Sequence, residues 1–332
     1  MILAGDIGGT KTVLSLLHTA QDGSLDCMQE QSFASQDFAT FDAILEAFLP
    51  PRSHISSACF GVAGPVVNQR CQTTNLPWLL DAAELQQKLA TPKIKLLNDL
   101  EAMALGMLHL PEADLLELNP NAQTQTGNIA VIAAGTGLGE AMLYWDGNSH
   151  HPIATEGGHS DFAPQTLQQD MLLSYLRNIY PEHVSYERII SGMGFSHLYD
   201  FLYEHDFATA CLAVPELEDP NGGSDRNAII SRLGINGEDL ICTEVVRLFV
   251  EIYGAEAGNL ALKSLAIGGV FIGGGIAAKI LPAMQQGQFM QAFKAKGRFL
   301  PMLDKISVKL ALNPRTPLIG AIHYFASTGA EA

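Results

Sequence analysis

Two apolar segments joined by a glycine-rich turn occur twice in the chain, and this repeated unit constrains its fold most. Ile2 to Ile7 and Thr12 to Leu17 flank the turn in GDIGGTKT, and Ile129 to Ala134 and Ala141 to Trp145 flank GTGLG. Short apolar runs bounded by glycines are typical of strands, so each unit is predicted to be a β-hairpin. Recurrence of one such unit suggests two related α/β domains that face each other.

The remainder of the chain alternates short apolar runs with helical patterns, as an α/β architecture does. Its 332 residues are enough for about two domains. Further strands are predicted at Ile55 to Val62, Lys93 to Leu97, Gly269 to Ile272 and Ile306 to Leu312. Helices are predicted at Asp81 to Ala90, Leu100 to Leu108, Asp239 to Ser264 and Pro317 to Ala326. Pro111 to Gly127 is a boundary candidate, and His205 to Glu238 is less regular and expected to be peripheral.

Composition excludes several classes of protein. A formal net charge of −16 argues against binding to nucleic acid or to an anionic membrane. No uncharged apolar run reaches the roughly 18 residues of a membrane span, and the first residues lack a signal-peptide pattern. The 5 cysteines are scattered and never spaced as CxxC, which is typical of reduced thiols rather than a zinc or disulfide framework. The sequence therefore predicts a cytoplasmic globular protein.

Each glycine-rich turn resembles a nucleotide motif that it does not match. GDIGGTKT ends like a P-loop, but that pattern requires glycine where Thr10 stands and a helix after it. GTGLGE lacks the third glycine of a dinucleotide fingerprint at Glu140, and a strand follows again. An open hairpin turn remains, whose backbone N–H groups can bind an anion, with an ordinary glycine hairpin as the alternative. Asp6 beside the first turn suits a hydrated Mg²⁺ better than it suits phosphate.

Polar residues follow several of the predicted strands. Asn98 and Asp99 stand between a strand end and a helix start, where they could cap the helix or place a carboxylate that accepts a substrate proton. Glu156-Gly-Gly-His159 is unsuited to a helical metal site, because each glycine costs about 1 kcal/mol in a helix. A loop of this kind could hydrogen-bond a polyol instead. Glu187 could be a solvated charge at a helix start, which its local sequence favours.

The triple glycine at Gly273, Gly274 and Gly275 ends a strand before a helix. It could serve tight packing or form a floor under a flat ring such as adenine.

Eight motifs occur along the chain in a fixed order: GDIGGTKT, GVAGPV, TTNLPW, LLNDLEA, AAGTGLG, EGGHSDFAP, ERIISG and VFIGGGI. Together they resemble the bacterial-type glucokinase family of the sugar kinase and actin superfamily. The resemblance spans nearly the whole chain.

The resemblance implies a fold and an activity. Two α/β domains of the ribonuclease H-like type would surround a central cleft, with residues 1–109 and 312–332 as the small domain and 110–311 as the large one. The family transfers the γ-phosphoryl group of ATP to the 6-hydroxyl of glucose, with Mg²⁺ and domain closure over the cleft. A homodimer is implied as well.

The site residues are carried over position by position. The glucose contacts would be Asn98, Asp99, Glu156, His159 and Glu187, with Asp99 as the general base. The resemblance places ATP against three segments, whose residues are Gly5, Asp6, Ile7, Gly8, Gly9, Thr10 and Lys11, then Gly135, Thr136 and Gly137, then Gly273, Gly274 and Gly275. Asp6 would hold Mg²⁺ through water. A kinase of another hexose, or a non-catalytic sugar-binding or regulatory protein on the same fold, stays open as an alternative.

Overall fold

Two mixed β-sheets with helices packed on them organise the chain, in a computed structural model that describes residues 1–21, 23–217 and 224–327. The chain divides into two units. Unit 1 comprises Met1–Asp114, Leu143–Ala154 and the segment from Asn313 on, and unit 2 comprises Leu115–Met142 and Thr155–Leu312. Each unit has its own cluster of buried apolar side chains.

The elements are numbered in chain order. The strands are β1 (Ile2–Ile7), β2 (Lys11–Thr19), β3 (Leu25–Ala34), β4 (Ser57–Val62), β5 (Arg70–Gln72), β6 (Leu79–Asp81), β7 (Ile94–Asn98), β8 (Leu115–Glu117), β9 (Ile129–Ala134), β10 (Leu138–Trp145), β11 (His150–Ala154), β12 (Gly269–Gly273) and β13 (Val308–Ala311). The helices are α1 (Phe41–Phe48), α2 (Ala82–Leu89), α3 (Asp99–Met107), α4 (Leu167–Ile179), α5 (Gly194–Glu204), α6 (Ser224–Asn236), α7 (Leu240–Ser264), α8 (Gly275–Lys279), α9 (Leu281–Met284), α10 (Gln288–Lys294), α11 (Leu300–Leu303) and α12 (Thr316–Ser327).

The two large sheets repeat one strand arrangement. The order is β3-β2-β1-β4-β7 in the first sheet and β11-β10-β9-β12-β13-β8 in the second. In each sheet the two strands that flank a glycine turn, β1 and β2 or β9 and β10, are neighbours. Parallel strands lie on the other side of β1 and of β9. The predicted recurrence of one strand–turn–strand unit, and the mixed α/β class, are confirmed.

The central strands are apolar because they are covered on both faces. Every residue of β4 (SACFGV) and of β9 (IAVIAA) is buried, as expected for parallel strands between helical layers. In contrast, β3 at the edge of its sheet is mostly exposed and polar. Its lack of apolar alternation explains why no strand was predicted there.

The predicted elements are present, with ends displaced by a few residues. Asp81 and Asp239 cap α2 and α7, since their carboxylates accept the N–H groups of Ala83 at 2.8 Å and Cys242 at 2.9 Å. The prediction of an irregular segment at His205 to Glu238 is wrong in part, because α6 lies within it; residues 218–223 of it lie outside the described residues. Within the described ranges, no helix combines the length and the apolar character needed to cross a membrane.

Helices α3 and α12 of unit 1 touch through their backbones. A Cβ on Gly106 would lie 1.9 Å from the carbonyl oxygen of Thr316, and a Cβ on Gly320 would lie 1.8 Å from that of Ala102. No side chain can occupy such a gap, so two glycines set the distance between the helices. Because α3 begins at Asp99, this packing also fixes the helix that carries a candidate catalytic group.

We expect Gly106→Ala and Gly320→Ala each to lower the free energy of unfolding by about 2–4 kcal/mol, because the added methyl groups force the helices apart. In a helix without such contacts the same change stabilises by up to about 1 kcal/mol. Gly275→Ala is the matched control, since no atom lies within 4 Å of its added Cβ. Urea denaturation checks the sign: stabilisation by Gly106→Ala would contradict the close packing.

Candidate active site

The first glycine turn joins β1 to β2, and Ser35 holds it from behind. The N–H of Gly8 donates to the carbonyl of Lys11 at 3.0 Å. The Ser35 hydroxyl donates to the carbonyl of Gly8 at 2.8 Å, and its N–H donates to the carbonyl of Thr10 at 3.0 Å. Two carbonyl oxygens of the turn are thus bound on the Ser35 side. Repulsion between these oxygens and an anion is therefore reduced on the opposite side of the turn.

The glycines around this turn have different roles. Gly5 and Ile7 are buried within β1, and a Cβ on Gly5 would lie 2.8 Å from side-chain atoms of Leu14 and Phe60. Packing therefore explains the glycine at position 5. Gly9 faces Asn75, whose Cβ would be 2.7 Å from an added methyl group.

Asp6 and Asp99 lie within electrostatic range of each other in unit 1. Asp6 is half-buried on β1, and burial, then the charge of Asp99, raises its pKa to about 6, while Lys11 opposes the shift. Two carboxylates beside a turn of this kind supply the hard oxygen atoms that Mg²⁺ prefers. The donor chemistry therefore fits the predicted Mg²⁺ site at Asp6.

Asn98 caps α3, which is one of the two roles predicted for Asn98 and Asp99 from the sequence. Its Oδ1 accepts the N–H of Leu100 at 2.8 Å, and Glu101 accepts the N–H of Asn98 at 2.9 Å, which completes a capping box. Its Nδ2 donates to the carbonyl of Gly64 at 3.1 Å. Because an amide nitrogen carries two hydrogens, a cap of this kind can still donate to a ligand.

In unit 2, Glu187 is bound to the second glycine turn. Its Oε2 accepts the N–H of Leu138 at 3.0 Å, and a Cβ on Gly137 would lie 2.5 Å from the same oxygen. The N–H of Gly192 donates to the carbonyl of Gly135 at 2.9 Å. The interpretation of Glu187 as a solvated helix-start charge is wrong, because its side chain is only 25% exposed and its carboxylate has a backbone partner.

Glu156 and His159 belong to one short turn beside Glu187. Gly157–His159 form a single 3₁₀ turn rather than an α-helix, as the paired glycines predicted. The Nδ1 of His159 lies 3.9 Å from Oε1 of Glu187. Both Glu156 and His159 are exposed, so their polar atoms can contact a ligand.

The paired glycines let this turn lie directly on β10. A Cβ on Gly157 would be 2.1 Å from Oε2 of Glu140, and one on Gly158 would be 2.0 Å from the carbonyl oxygen of Leu138. Any larger residue would push the turn off the strand. The glycines thus bring Glu156 and His159 against the strand that follows the second glycine turn.

The triple glycine lies next to the end of β9. Strands β12 and β9 are parallel, with Gly273 opposite Ala133. Gly274 has a φ of +80°, and its Cβ would be 2.2 Å from the carbonyl oxygen of Ala134. Gly275 begins α8 and faces open space. The second turn, Gly135–Gly137, therefore starts beside the triple glycine at one edge of the sheet.

The predicted site residues form two groups. Unit 1 brings together the first glycine turn, Asp6, Asn98 and Asp99, and unit 2 brings together the second turn, the triple glycine and the side chains of Glu156, His159 and Glu187. Ser35, Asn75 and Glu140 support these groups and were not identified from the sequence. Serine and asparagine are common in loops, so nothing in the sequence pointed to Ser35 or Asn75. Glu140 was noticed only because it stands where a dinucleotide fingerprint requires glycine.

Comparison with known proteins gives one consistent result. The family model described as Glucokinase matches residues 3–328. A glucokinase of Trichormus variabilis is 40% identical over 333 aligned residues, which cover 97% of each chain. A glucokinase of Tolumonas auensis is 34% identical over 324 residues, covering 97% of this chain and 96% of that one.

Comparison with solved structures gives the same result. A glucokinase from an Antarctic psychrotroph superposes with a TM-score of 0.85 at 30% identity, over 98% of this chain and 99% of that one. A ROK family glucokinase from Streptomyces griseus, in complex with glucose and AMPPNP, has a TM-score of 0.62 at 19% identity, over 96% of this chain and 97% of that one. At that identity the second likeness shows the fold alone. The two-domain sugar kinase fold predicted from the sequence is confirmed.

Asp6→Asn is expected to stabilise the protein at pH 7 by about 1–2 kcal/mol, because it removes a charge that burial and Asp99 disfavour. The folded pKa of Asp6 is about 6, above its ordinary 3.8. Its unfavourable contribution is thus absent well below pH 4, grows between pH 4 and 6, and is complete above. The stability gained by the variant should follow the same course in urea denaturation.

Asp146→Asn is the control of opposite sign. Asp146 accepts the N–H groups of Ser149 and Asn148 and bonds His151, and these contacts, the one with Ser149 first, lower its pKa. That carboxylate stabilises the fold above pH 4 and loses its effect as pH falls. The Asp146 variant should therefore lose stability at pH 7. A loss of stability in the Asp6 variant at pH 7 would contradict the conclusion that burial and the charge of Asp99 disfavour the ionised Asp6 carboxylate.

Proposed function

The chain belongs to the glucokinase family, and from this we propose that it transfers the γ-phosphoryl group of ATP to the 6-hydroxyl of glucose, giving glucose 6-phosphate and ADP. One observation in the chain itself supports this most directly. The carboxylates of Asp6 and Asp99 lie near each other beside a glycine turn whose carbonyls are bound from behind. Phosphoryl transfer needs this combination of an anion-binding turn, a metal-binding carboxylate and a proton acceptor.

Asp99 is proposed as the general base. It begins α3 at the carboxyl end of β7, and one of its oxygens accepts the N–H of Leu100 at 2.9 Å. This contact, which shares the Leu100 N–H with Oδ1 of Asn98, restrains the carboxylate. A base so held accepts the proton of the glucose 6-hydroxyl as the new bond to phosphorus forms.

Asn98, Asp99, Glu156, His159 and Glu187 are proposed to bind glucose. Carboxylates, an amide and an imidazole can each pair with a sugar hydroxyl, and a buried partner left without its hydroxyl costs about 1–3 kcal/mol. Such a site discriminates against sugars with a missing or inverted hydroxyl more strongly than an apolar pocket does. The N–H of Leu138 binds one carboxylate oxygen of Glu187 and so orients this side chain for the contact with a sugar hydroxyl.

The three glycine segments, at residues 5–11, 135–137 and 273–275, are proposed to bind ATP. Backbone N–H groups of the two turns would contact phosphate oxygens, and the triple glycine leaves room for the adenosine. Asp6 would hold Mg²⁺ through water, and the bound ion neutralises charge on the phosphates. A cytoplasmic location and a homodimer remain predictions from the sequence.

A hexose panel tests the assigned substrate. We expect kcat/KM for glucose to exceed that for mannose, fructose and N-acetylglucosamine by about tenfold or more, because each change removes or moves a hydroxyl that a polar side chain would bind. ADP release is measured with each sugar at equal ATP. Equal rates with all four sugars would reject glucose as the specific substrate, and no release above the sugar-free rate would favour a non-catalytic binding protein.

Asp99→Asn should lower kcat by about 10²–10⁴-fold, the usual contribution of a general base. Because asparagine keeps one acceptor oxygen, glucose should still bind within about tenfold of the wild-type affinity, measured by calorimetry. Asp42→Asn is the control, since Asp42 is an exposed carboxylate at the start of α1. Substantial residual kcat in the Asp99 variant would remove Asp99 from the role of base.

A further inference from the structure

A pair of buried carboxyl groups lies beneath the second group of site residues. Glu140 on β10 is 1% exposed and Glu256 on α7 is fully buried. Among the described residues, Oε1 of Glu140 has no hydrogen-bond partner. A carboxylate in such a place would carry an uncompensated charge in a medium that solvates it poorly.

Among the described residues, two side-chain donors beside the pair bind Glu256. Lys263 Nζ donates to its Oε1 at 3.2 Å, and Asn259 Nδ2 donates to its Oε2 at 2.7 Å. Glu256 is therefore the member that carries the negative charge. Burial, then the charge of Glu256, raises the pKa of Glu140 to about 8, and Lys263 lowers it. A proton on Glu140 is therefore favoured near neutral pH, and it can be donated to Glu256.

The other titratable groups facing the pair are Lys296, Tyr186 and Tyr253. Lys296 Nζ donates to Oδ1 of Asn259 at 2.6 Å, and burial lowers the pKa of its ammonium. Burial raises the pKa of both tyrosines, so they stay neutral. Near neutral pH the cluster thus holds one negative charge against two lysines, and a second negative charge would appear only when Glu140 loses its proton.

Glu140 forms the floor of the turn that carries Glu156 and His159. Its Oε2 lies where a Cβ of Gly157 would be, at 2.1 Å. Its carbonyl accepts the hydroxyl of Thr155 at 2.9 Å, and that hydroxyl accepts the N–H of Gly157 at 3.1 Å. The turn therefore contacts both the side chain and the backbone of Glu140.

The same cluster supports Glu187 from the other side. Asn259 Nδ2, which binds Glu256, also donates to the hydroxyl of Tyr186 at 3.0 Å. Tyr186 directly precedes Glu187, and its N–H donates to the carbonyl of Ser160 at 3.1 Å. The buried pair is thus linked to the segments that carry all three candidate sugar-binding side chains of unit 2.

We propose that Glu140 is a positioning residue for glucose binding: a proton shared between Glu140 and Glu256 holds the Gly157–His159 turn and the Tyr186–Glu187 segment in their binding arrangement. Loss of that proton places a second negative charge beside Glu256 and directly beneath Gly157, where Oε2 of Glu140 fills the place of a Cβ, so the repulsion acts on the turn. Glucose affinity therefore falls as Glu140 ionises. The part that concerns glucose rests on the proposed function.

The experiment compares wild type with Glu140→Gln, whose amide has the shape of the protonated acid and donates to Glu256 at every pH. Calorimetry gives the dissociation constant for glucose without ATP from pH 6.5 to 9.5, and steady-state kinetics give KM and kcat. We expect the wild-type constant to rise about tenfold or more above pH 8, with kcat changing less. The variant should bind glucose within about threefold of wild type at pH 7 and show no such rise.

Glu182→Gln is the matched control, since Glu182 is exposed and the chemical change is the same; it should keep the wild-type rise. An equal alkaline rise in Glu140→Gln would overturn the proposal and point to another group, such as Lys296. Loss of glucose affinity at pH 7 in a folded Glu140→Gln protein would overturn it as well.

Thermal unfolding separates this inference from the proposed function. The folded pKa of Glu140, about 8, lies above its ordinary 4.5, so the Tm of wild type should fall relative to that of Glu140→Gln from about pH 5 to pH 8 and run parallel to it above. If wild type shows that relative fall but neither binds nor phosphorylates glucose, the shared proton stands and the proposed function is wrong. Tm curves for the two proteins that are parallel below about pH 8 as well would overturn the shared proton itself.

Discussion

Parallel pairing of the central strands is the constraint on which both groups of site residues depend. Strands β1, β4 and β7 are in parallel register, with Asp6 opposite Gly61 and Val62 opposite Asn98. Their carboxyl ends therefore meet at one edge, where the first glycine turn, Asp6 and the start of α3 come together. In the second sheet β9 and β12 do the same for the second turn and the triple glycine. A slip of one residue would turn Asp6 to the opposite face of its sheet.

Glycine is required where two backbones or a backbone and a carboxylate come closer than a methyl group allows. Gly106 and Gly320 set the contact of α3 with α12, Gly274 lies on the end of β9, and Gly157 lies on Glu140. These contacts differ from the conformational freedom of a turn, since only Gly274 among the four has a positive φ. Glycines in this chain are thus required at close contacts with the backbone or with a carboxylate as well as at turns.

The sequence was sufficient for what local patterns encode. Apolar runs located the central strands, and Asp81 and Asp239 located the beginnings of two helices through their caps. It was not sufficient for contacts between distant segments. Glu187 reads locally as a solvated charge, yet its partner is the N–H of Leu138, 49 positions away. Ser35 supports a turn 27 positions away, and no periodicity in the sequence points to such a contact.

Half-buried Asp6 and buried Glu140 have raised pKa values for the same reason, burial beside a second carboxylate, but their proposed roles need opposite charge states. Asp6, proposed to hold a hydrated cation, must be ionised for that role, and without a cation the ionised form predominates above about pH 6. Glu140 must keep its proton to pair with Glu256, which requires a pH below about 8. The two conditions overlap in a window around neutral pH. If both proposals hold, the ionised form of Asp6 and the protonated form of Glu140 occur together only around neutral pH.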